Sequence, residues 1–195
     1  MIAFIKGILV EKNPAFALID CNGVGYMIHI SLQTYEKLPN INESCKLLTH
    51  FIVREDAQLL FGFHEPKERA LFQQLISVNG IGSNTARMML SAMSCQELTA
   101  AIVSENSKLL QGIKGIGAKT AQRVVIELKD KVDKELSAID KIFAVHNTNK
   151  DEALLALVSL GFAKNSADIA LSKVIKSDGA DVSIEVLIKK ALQIL

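Results

Sequence analysis

A ten-residue pattern occurs twice in this chain, 35 residues apart, and it constrains the fold more than any other feature. The first copy is VNGIGSNTAR at residues 78–87, and the second is IKGIGAKTAQ at residues 113–122. Five positions carry identical residues: Gly80, Ile81, Gly82, Thr85 and Ala86 in the first copy, and Gly115, Ile116, Gly117, Thr120 and Ala121 in the second. Because each copy lies between two apolar segments with helical spacing, the pattern predicts two helix–hairpin–helix units.

The predicted hairpins have the chemistry of phosphate-binding sites. A Gly-apolar-Gly turn exposes backbone N–H groups at the start of a helix, where unpaired donors and the helix dipole favour an anion. Two such turns suit two phosphates of one polymer better than one small ligand. We therefore predict that both hairpins bind DNA. The predicted contact residues are Gly80, Gly82, Ser83, Asn84 and Thr85 in the first hairpin, and Gly115, Gly117, Ala118, Lys119, Thr120 and Arg123 in the second.

The basic side chains near the two hairpins are not equivalent. Lys119 and Arg123 lie four residues apart, so they share one helix face beside the second turn. These side chains suit a phosphate but carry no information about base sequence. Arg87 aligns with neither of them, and its role stays open. We expect the second hairpin to hold DNA more strongly, so that Gly115→Asp is more damaging than Gly80→Asp.

The composition excludes several other kinds of protein. The charge is nearly balanced, with 22 Lys and Arg against 21 Asp and Glu, although residues 74–129 contain six basic and three acidic residues. This weak basic focus coincides with the repeat, but it also fits an ordinary solvated surface. Tryptophan is absent and aromatic residues make up 5% of the chain, which disfavours base stacking as the binding mode.

The cysteines and histidines predict no metal site and no cofactor. There are three cysteines and four histidines, and none has the spacing of a metal-ligand motif. No apolar run approaches the length of a membrane span, and the first residues do not form a signal peptide. We expect no membrane association and a reducing, cytoplasmic location.

Residues 1–64 have the pattern of a small β-barrel. Short runs rich in β-branched and aromatic residues, such as IAFIKGILV and GYMIHI, are separated by turn signals such as Asn22-Gly23. So few strands bury a core only if the sheet closes, and an oligonucleotide-binding (OB) type barrel of five strands is the natural prediction.

The remainder of the chain is predicted to be helical, which makes the fold class α+β. Residues 65–142 predict four or five helices, with Ser94 and Ser104 as helix N-caps. Residues 143–150 lose this periodicity and become polar, which predicts a flexible linker. Residues 151–195 then have the pattern of a three-helix bundle, whose small core is typical of a tethered interaction module.

Two adjacent acids, Glu55 and Asp56, lie between the apolar runs 47–53 and 58–63, at the predicted tip of a β-hairpin. A solvated turn is one interpretation. In a DNA-binding chain, the acids would instead repel phosphates at close range, by roughly 1 kcal/mol or more per charge pair, and hold strands apart. As a catalytic pair they are poor candidates, because no metal-ligating residue is nearby in the sequence.

Two further motifs have alternative interpretations. Residues 112–120, GIKGIGAKT, nearly match a nucleotide-binding P-loop, but Ala118 separates the last glycine from Lys119 and turns the lysine by about 100° around a helix. We therefore do not expect ATP binding. The segment LVSLGF at residues 157–162 is either plain core or a partner-binding face.

The order of these parts resembles the RuvA family along the whole chain, and the segment VREDAQLL and the tandem NGIG and KGIG turns carry the resemblance. The resemblance implies a Holliday-junction DNA-binding subunit of a branch-migration complex. Four subunits would form a flat plate that holds the junction open and square, and two plates could sandwich it. The hairpins would hold duplex arms through minor-groove phosphates.

The same resemblance assigns the remaining candidate residues. Glu55 and Asp56 match the family's acidic pin at the junction centre. The C-terminal module would bind and stimulate RuvB, a hexameric ATPase motor, and the junction resolvase RuvC would be a further partner. The positions that match the family's apolar motor contacts are Leu157, Leu160, Phe162 and Leu192.

In the family, a basic residue is common after the second glycine of each hairpin, and this chain departs from that pattern. Asn84 and Ala118 stand there instead. We expect DNA binding to be weaker and less dependent on salt than in a more basic relative, because fewer counterions are released.

Three other functions stay open at this point. A nuclease or glycosylase would need a metal cluster or a base-flipping pocket, and neither set of residues is evident. A single-strand-binding barrel would need exposed aromatics, whereas the alternation of Phe51, Phe61 and Phe63 predicts core positions. A DNA-binding scaffold without junction specificity is the third alternative.

Overall fold

In a computed structural model, which describes residues 2–143, 149–178 and 182–195 (132–143 and 178 as backbone only), the N-terminal part is a closed five-stranded barrel. Its strands follow the spatial order β1-β2-β3-β5-β4, with β4 paired back to β1. The strands are β1 (Phe4–Lys12), β2 (Phe16–Cys21), β3 (Val24–Ile30), β4 (Ser44–Val53) and β5 (Gln58–Phe63). This topology confirms the predicted OB-type barrel.

The barrel closes through one short parallel pairing. His29 and Ile30 of β3 lie opposite Phe61 and Gly62 of β5, whereas every other neighbouring pair of strands is antiparallel. A parallel pairing requires a crossover, and helix α1 (Leu32–Glu36) lies on the chain between β3 and β4. Closure leaves no exposed sheet edge, and the apolar side chains that alternate along the strands fill the interior. The fully buried members of this core are Leu9, Ala17, Ile19, Ile28, Ile30 and Leu47.

Five helices follow the barrel, as the sequence predicted. They are α2 (Pro66–Ser77), α3 (Ser83–Ala92), α4 (Cys95–Val103), α5 (Ser107–Gln111) and α6 (Ala118–Phe143). Ser94 begins α4 with a capping box, in which its hydroxyl accepts from the Glu97 N–H and the Glu97 carboxylate accepts from the Ser94 N–H.

The predicted N-cap at Ser104 is wrong. Ser104 lies at the C-terminal end of α4, where its hydroxyl donates to the Ala100 carbonyl at 2.7 Å. Asn106 caps α5 instead, and its side-chain oxygen accepts from the Leu109 N–H at 3.2 Å. Because α5 begins at Ser107, the N-cap position falls on Asn106 and not on Ser104, and asparagine is among the strongest N-cap residues.

The barrel and these helices form one compact unit over residues 1–139. Phe61 and Phe63 extend from β5 into the helical core, with their ring centroids 5.0 and 4.9 Å from the ring of Phe72 in α2. The prediction that these two phenylalanines are buried is therefore confirmed. Both side chains pack mainly with the helices, so β5 contributes to the barrel and to the helical core.

A buried carboxylate also joins the barrel to the helices. Glu68 of α2 is 3% exposed and accepts hydrogen bonds from the hydroxyls of Ser31 and Thr34, the latter at 2.7 Å. Burial raises the pKa of Glu68 above its ordinary value, although both hydroxyl bonds oppose this shift. Thr34 Oγ1 also accepts a hydrogen bond from the His64 N–H at 3.1 Å. The Thr34 hydroxyl therefore both donates to Glu68 and accepts from the backbone.

Replacing Thr34 with valine should destabilise this unit, because the isosteric side chain removes the hydrogen-bond partner of Glu68 Oε2 and of the His64 N–H, while the Ser31 hydroxyl still donates to Glu68 Oε1. We expect a loss of about 1–3 kcal/mol in the free energy of unfolding. Urea unfolding followed by circular dichroism measures it. Thr34→Ser keeps the hydroxyl and should lose much less; equal losses in both variants would show that the hydroxyl is unimportant.

The C-terminal part is a separate three-helix bundle, as predicted. Its helices are α7 (Asn149–Ser159), α8 (Lys164–Asp178) and α9 (Ile184–Leu192). Gly161, with φ of +98°, ends α7 in a Schellman motif: its N–H bonds the Val158 carbonyl and the Phe162 N–H bonds the Leu157 carbonyl. The small core consists of Ala153, Leu157, Ala167, Ala170, Leu171, Val174, Leu187 and Ala191.

The predicted linker over residues 143–150 lies mostly outside the described residues, which omit 144–148. Phe143 is the last residue of α6, and Asn149 is the first of α7. Within the part of the chain that the structure describes, none of the helices has the length and apolar character needed to cross a membrane.

Candidate nucleic-acid interface

Both glycine repeats fold into the same tight turn between two helices. Residues 78–81 and residues 113–116 each form a turn in which the N–H of the fourth residue bonds the carbonyl of the first, at 3.1 Å in both copies. The third residue has a positive φ in each turn, +96° at Gly80 and +90° at Gly115. This is the signature of a type II turn, whose third position favours glycine. The prediction of two helix–hairpin–helix units is confirmed.

Buried apolar side chains hold each hairpin against the helical core. The apolar residue between the two glycines, Ile81 or Ile116, is 5% exposed in both copies. Four residues after the second glycine, Ala86 and Ala121 are fully buried. Their small side chains let the second helix of each unit pack closely against the core, which fixes the direction of the amides at its start.

The second glycine of each hairpin is not needed by the fold. Gly82 has φ of −82°, an ordinary value, and Gly117 is also outside the positive region. Apart from its two chain neighbours, no heavy atom of the described residues lies within 4 Å of a Cβ atom built on either glycine. The missing side chains therefore leave bare backbone facing open space, which is what the close approach of a ligand requires.

Each bare glycine immediately precedes a helix and cannot cap the amides of its first turn with a side chain. Gly82 is the N-cap of α3 and has no side chain to bond the amides of the first turn. Its carbonyl accepts from the Ala86 N–H at 2.9 Å, and Gly117 does the same with Ala121 at 2.9 Å before α6. Uncapped N–H groups at a helix start are donors for an anion.

The predicted contact side chains differ in their exposure. Asn84 and its counterpart Lys119 are both exposed, whereas Thr85 and Thr120 are half-buried. Ser83 is 4% exposed, so it presents almost no surface to solvent. Ala118, in the matching position, is exposed.

The positive charge of this region belongs to the second hairpin. Lys114, in its turn, and Lys119, in the first turn of α6, are exposed and have no ionic or hydrogen-bonding partner among the described residues. The corresponding residues in the first hairpin are the neutral Asn79 and Asn84. Lys114 was not among the predicted contacts, although it is part of the KGIG motif. That the second hairpin binds DNA more strongly stays a prediction.

The two arginines of this region are already engaged within the protein. Arg87 donates from Nη1 to the carbonyls of Ala15 and Ile30 in the barrel, at 3.1 and 3.2 Å, and burial lowers its pKa. Arg87 therefore belongs to the joint between barrel and helices. Arg123 donates from Nη1 to the carbonyl of Asn79 at 3.0 Å.

Glu55 and Asp56 lie in the loop between β4 and β5, as the sequence predicted. The loop spans Arg54 to Ala57 and is closed by a bond from the Arg54 N–H to the Ala57 carbonyl at 2.8 Å. Both acidic side chains are exposed, and neither has a hydrogen-bonding or ionic partner within the described residues. They are free to act electrostatically on whatever approaches the loop.

The four predicted partner-binding residues do not share one environment. Leu160 and Leu192 are 64% and 42% exposed. Leu157 is fully buried in the bundle core, and Phe162 packs partly against it. Leu160 and Leu192 are therefore accessible to a partner, whereas the side chain of Leu157 is not.

A closed five-stranded barrel joined to two glycine hairpins with bare amides defines a tandem helix–hairpin–helix protein. Three family models agree with this description: the RuvA N-terminal domain matches residues 1–62, the SAM-like helix-hairpin-helix tandem matches residues 72–130, and the RuvA C-terminal domain matches residues 148–195.

Full-length relatives support the same assignment. Proteins named Holliday junction branch migration complex subunit RuvA are 48% identical to this chain in Christiangramia forsetii and 49% identical in Flavobacterium psychrophilum, over 99% of both chains in each comparison. The protein of that name in Bacteroides fragilis is 45% identical, again over 99% of both chains. This chain belongs to the RuvA family.

Proposed function

We propose that this protein binds four-way (Holliday) junction DNA as the DNA-binding subunit of a branch-migration complex. Support comes from the name of its full-length relatives and from one feature of its own fold. Gly82 and Gly117 expose bare backbone at two helix starts, where the packing of the described residues leaves room for a side chain. Backbone amides at a helix start contact phosphates and not bases, so binding depends on the shape of the DNA and not on its base sequence.

The two hairpins would bind a duplex arm through different groups. The first hairpin offers neutral amides, which displace no counterions by themselves. The second adds the ammonium groups of Lys114 and Lys119, each of which can neutralise a phosphate and release a counterion. Affinity then falls as salt is added, with a slope set mainly by the second hairpin.

Several copies of the chain are needed to hold four arms. We propose a tetramer with one subunit for each arm, or two such tetramers with the junction between them. Each subunit contributes two hairpins, and linked weak contacts raise the overall affinity well beyond that of one hairpin. Arms that leave the centre at wrong angles cannot engage all the hairpins together, and this geometric demand provides selectivity for the open junction.

The acidic loop would act where the four strands exchange. The carboxylates of Glu55 and Asp56 have no partner among the residues that the structure describes, so their charge is available to repel phosphates that come close. At a separation of about 4 Å and partial desolvation, each pair contributes on the order of 1–4 kcal/mol. That energy keeps separated strands from re-pairing at the centre of the junction.

Glu55→Gln combined with Asp56→Gln should still bind junctions but should change strand separation and the rate of branch migration. We expect this because the hairpins provide the affinity for DNA, whereas the two acids only repel phosphates. Fluorescence of 2-aminopurine at the crossover and a strand-exchange assay with the motor measure the two effects. Glu36→Gln removes an exposed acid elsewhere in the barrel unit and serves as the control. Migration at the wild-type rate in the double variant would refute this role.

The chain is proposed to be non-catalytic and to take its energy from a partner ATPase, RuvB, that docks on the C-terminal bundle. The resolvase RuvC would meet the same junction, in the cytoplasm. The P-loop-like segment follows helix α5 and not a strand, so it lacks the strand–loop–helix context that phosphate cradles of that class use.

A gel-shift comparison of a four-way junction, a linear duplex and a single strand tests the proposed function. We expect the junction to bind at least tenfold more tightly than the duplex of one arm, and the single strand to bind weakest. Equal affinity for all three would favour the alternative of a general DNA-binding scaffold.

A further inference from the structure

The side chain of Arg123 reaches from the second helix–hairpin–helix unit to the turn of the first. Its Nη1 donates to the carbonyl oxygen of Asn79 at 3.0 Å, and Asn79 is the second residue of the first turn. Its Nε lies 3.7 Å from the carboxylate of Glu127 on the same face of α6. The guanidinium is thus held between a turn carbonyl and a carboxylate, and part of its charge is already neutralised.

The repeat makes this contact half of a reciprocal pair. Arg123 corresponds to Met88 at the spacing of 35, and Gly115 corresponds to Gly80, the residue after Asn79. A Cβ placed on Gly115 would lie 3.6 Å from the Met88 Cε, so the helix of each unit contacts the turn of the other. The same position carries a hydrogen-bond donor in one copy and an apolar side chain in the other.

The carbonyl that Arg123 bonds has a special place in the turn. The peptide between Asn79 and Gly80 is the central one, and its orientation is what distinguishes a type II turn from a type I turn. Because a trans peptide is planar, a carbonyl directed at Arg123 sends the Gly80 N–H to the opposite side. Asn79 and Gly80 are both exposed, so this amide is available to a ligand.

We propose that Arg123 is a positioning residue for the first hairpin and not a phosphate ligand of the second. It holds the central peptide of the first turn in one orientation, so that the Gly80 N–H and the bare backbone at Gly82 present a preformed phosphate site. This inference rests on the proposed function, since it names the part of the DNA-binding surface that Arg123 serves. Met88, at the matching position, offers no such donor to the second turn, which would depend on Lys114 and Lys119 instead.

The salt dependence of junction binding separates the two roles. Arg123→Met should weaken binding about fivefold to tenfold and leave the slope of log K against log salt unchanged, because no phosphate contact from a cation is lost. Lys119→Met is the matched control on the same helix face, and it should flatten the slope. A slope in Arg123→Met that flattens as much as in Lys119→Met would overturn the proposal.

Double variants give an independent test. If Arg123 serves the first hairpin, then adding Arg123→Met to Gly82→Ala should weaken binding little further, whereas its effect should multiply with that of Gly117→Ala. Coupling to Gly117 and not to Gly82 would overturn the assignment. The same set of double variants can be measured on a linear duplex, so the role of Arg123 is tested independently of junction preference. A wild-type protein without junction preference would refute the proposed function but not the role of Arg123.

Discussion

Replacing Gly82 and Gly117 together with alanine should weaken junction binding by about 100-fold and leave the fold intact. Each methyl group would project into the open space where we expect a phosphate to meet the backbone, since no described atom beyond the two chain neighbours lies within 4 Å of either Cβ position. The loss of one phosphate contact costs about 1–1.5 kcal/mol, or roughly tenfold in affinity for each hairpin. Fluorescence anisotropy with a labelled junction measures the affinity.

Gly23→Ala is the matched control, because it strains the fold at a glycine that lies outside both hairpins. Gly23, in the turn between β2 and β3, has φ of +91°, which costs an alanine roughly 1–2 kcal/mol of stability. Gly82 has φ of −82°, and its replacement should change the free energy of unfolding little. If the alanine pair at positions 82 and 117 bound junctions as tightly as the wild type, the bare backbone would not be the contact surface.

Removal of residues 151–195 should spare junction binding and abolish stimulation of the motor ATPase. The hairpins belong to the compact unit over residues 1–139, whereas the three-helix bundle is a unit by itself. Its core is separate from the core of the barrel and helices, so the rest of the chain keeps its packing. Anisotropy and a coupled ATPase assay with purified motor measure the two activities on the same preparations.

Point substitutions sharpen this prediction. Leu160→Asp should reduce stimulation at least tenfold without unfolding the bundle, because that side chain is exposed. Leu157→Asp should unfold the bundle, since it buries an unpaired charge in a small core. Ile169→Asp changes an equally exposed side chain on α8 and is the control. Full stimulation by the truncated chain, or equal losses in Leu160→Asp and Ile169→Asp, would contradict the account.

Local sequence patterns predicted most of the fold. Alternating apolar residues predicted the five strands, helical spacing predicted the helices, and the repeated Gly-Ile-Gly predicted two identical turns. These features depend on residues close together in the chain, so a single sequence contains the information. The buried Phe61 and Phe63 were also predicted, but their packing against Phe72 was not, because it depends on how the barrel meets the helices.

The candidate site was predicted less completely, since its details depend on distant residues. Arg123 was expected to bind phosphate, and its bond to Asn79 spans 44 residues that no local pattern connects. Ser83 appears from the sequence to be a polar contact, yet its side chain is buried. The helical period alone could not separate the buried Leu157 from the exposed Leu160, because both lie near the end of a helix in a bundle with a small core.

Amide chemical shifts measured by NMR during titration with a four-way junction test the central claim most directly. We expect the largest changes at the amides of residues 80–85 and 115–120, and unchanged chemical shifts for the amides of residues 151–195. Changes confined to the barrel strands, with both hairpins unaffected, would contradict the claim that the twin glycine hairpins are the DNA-binding surface.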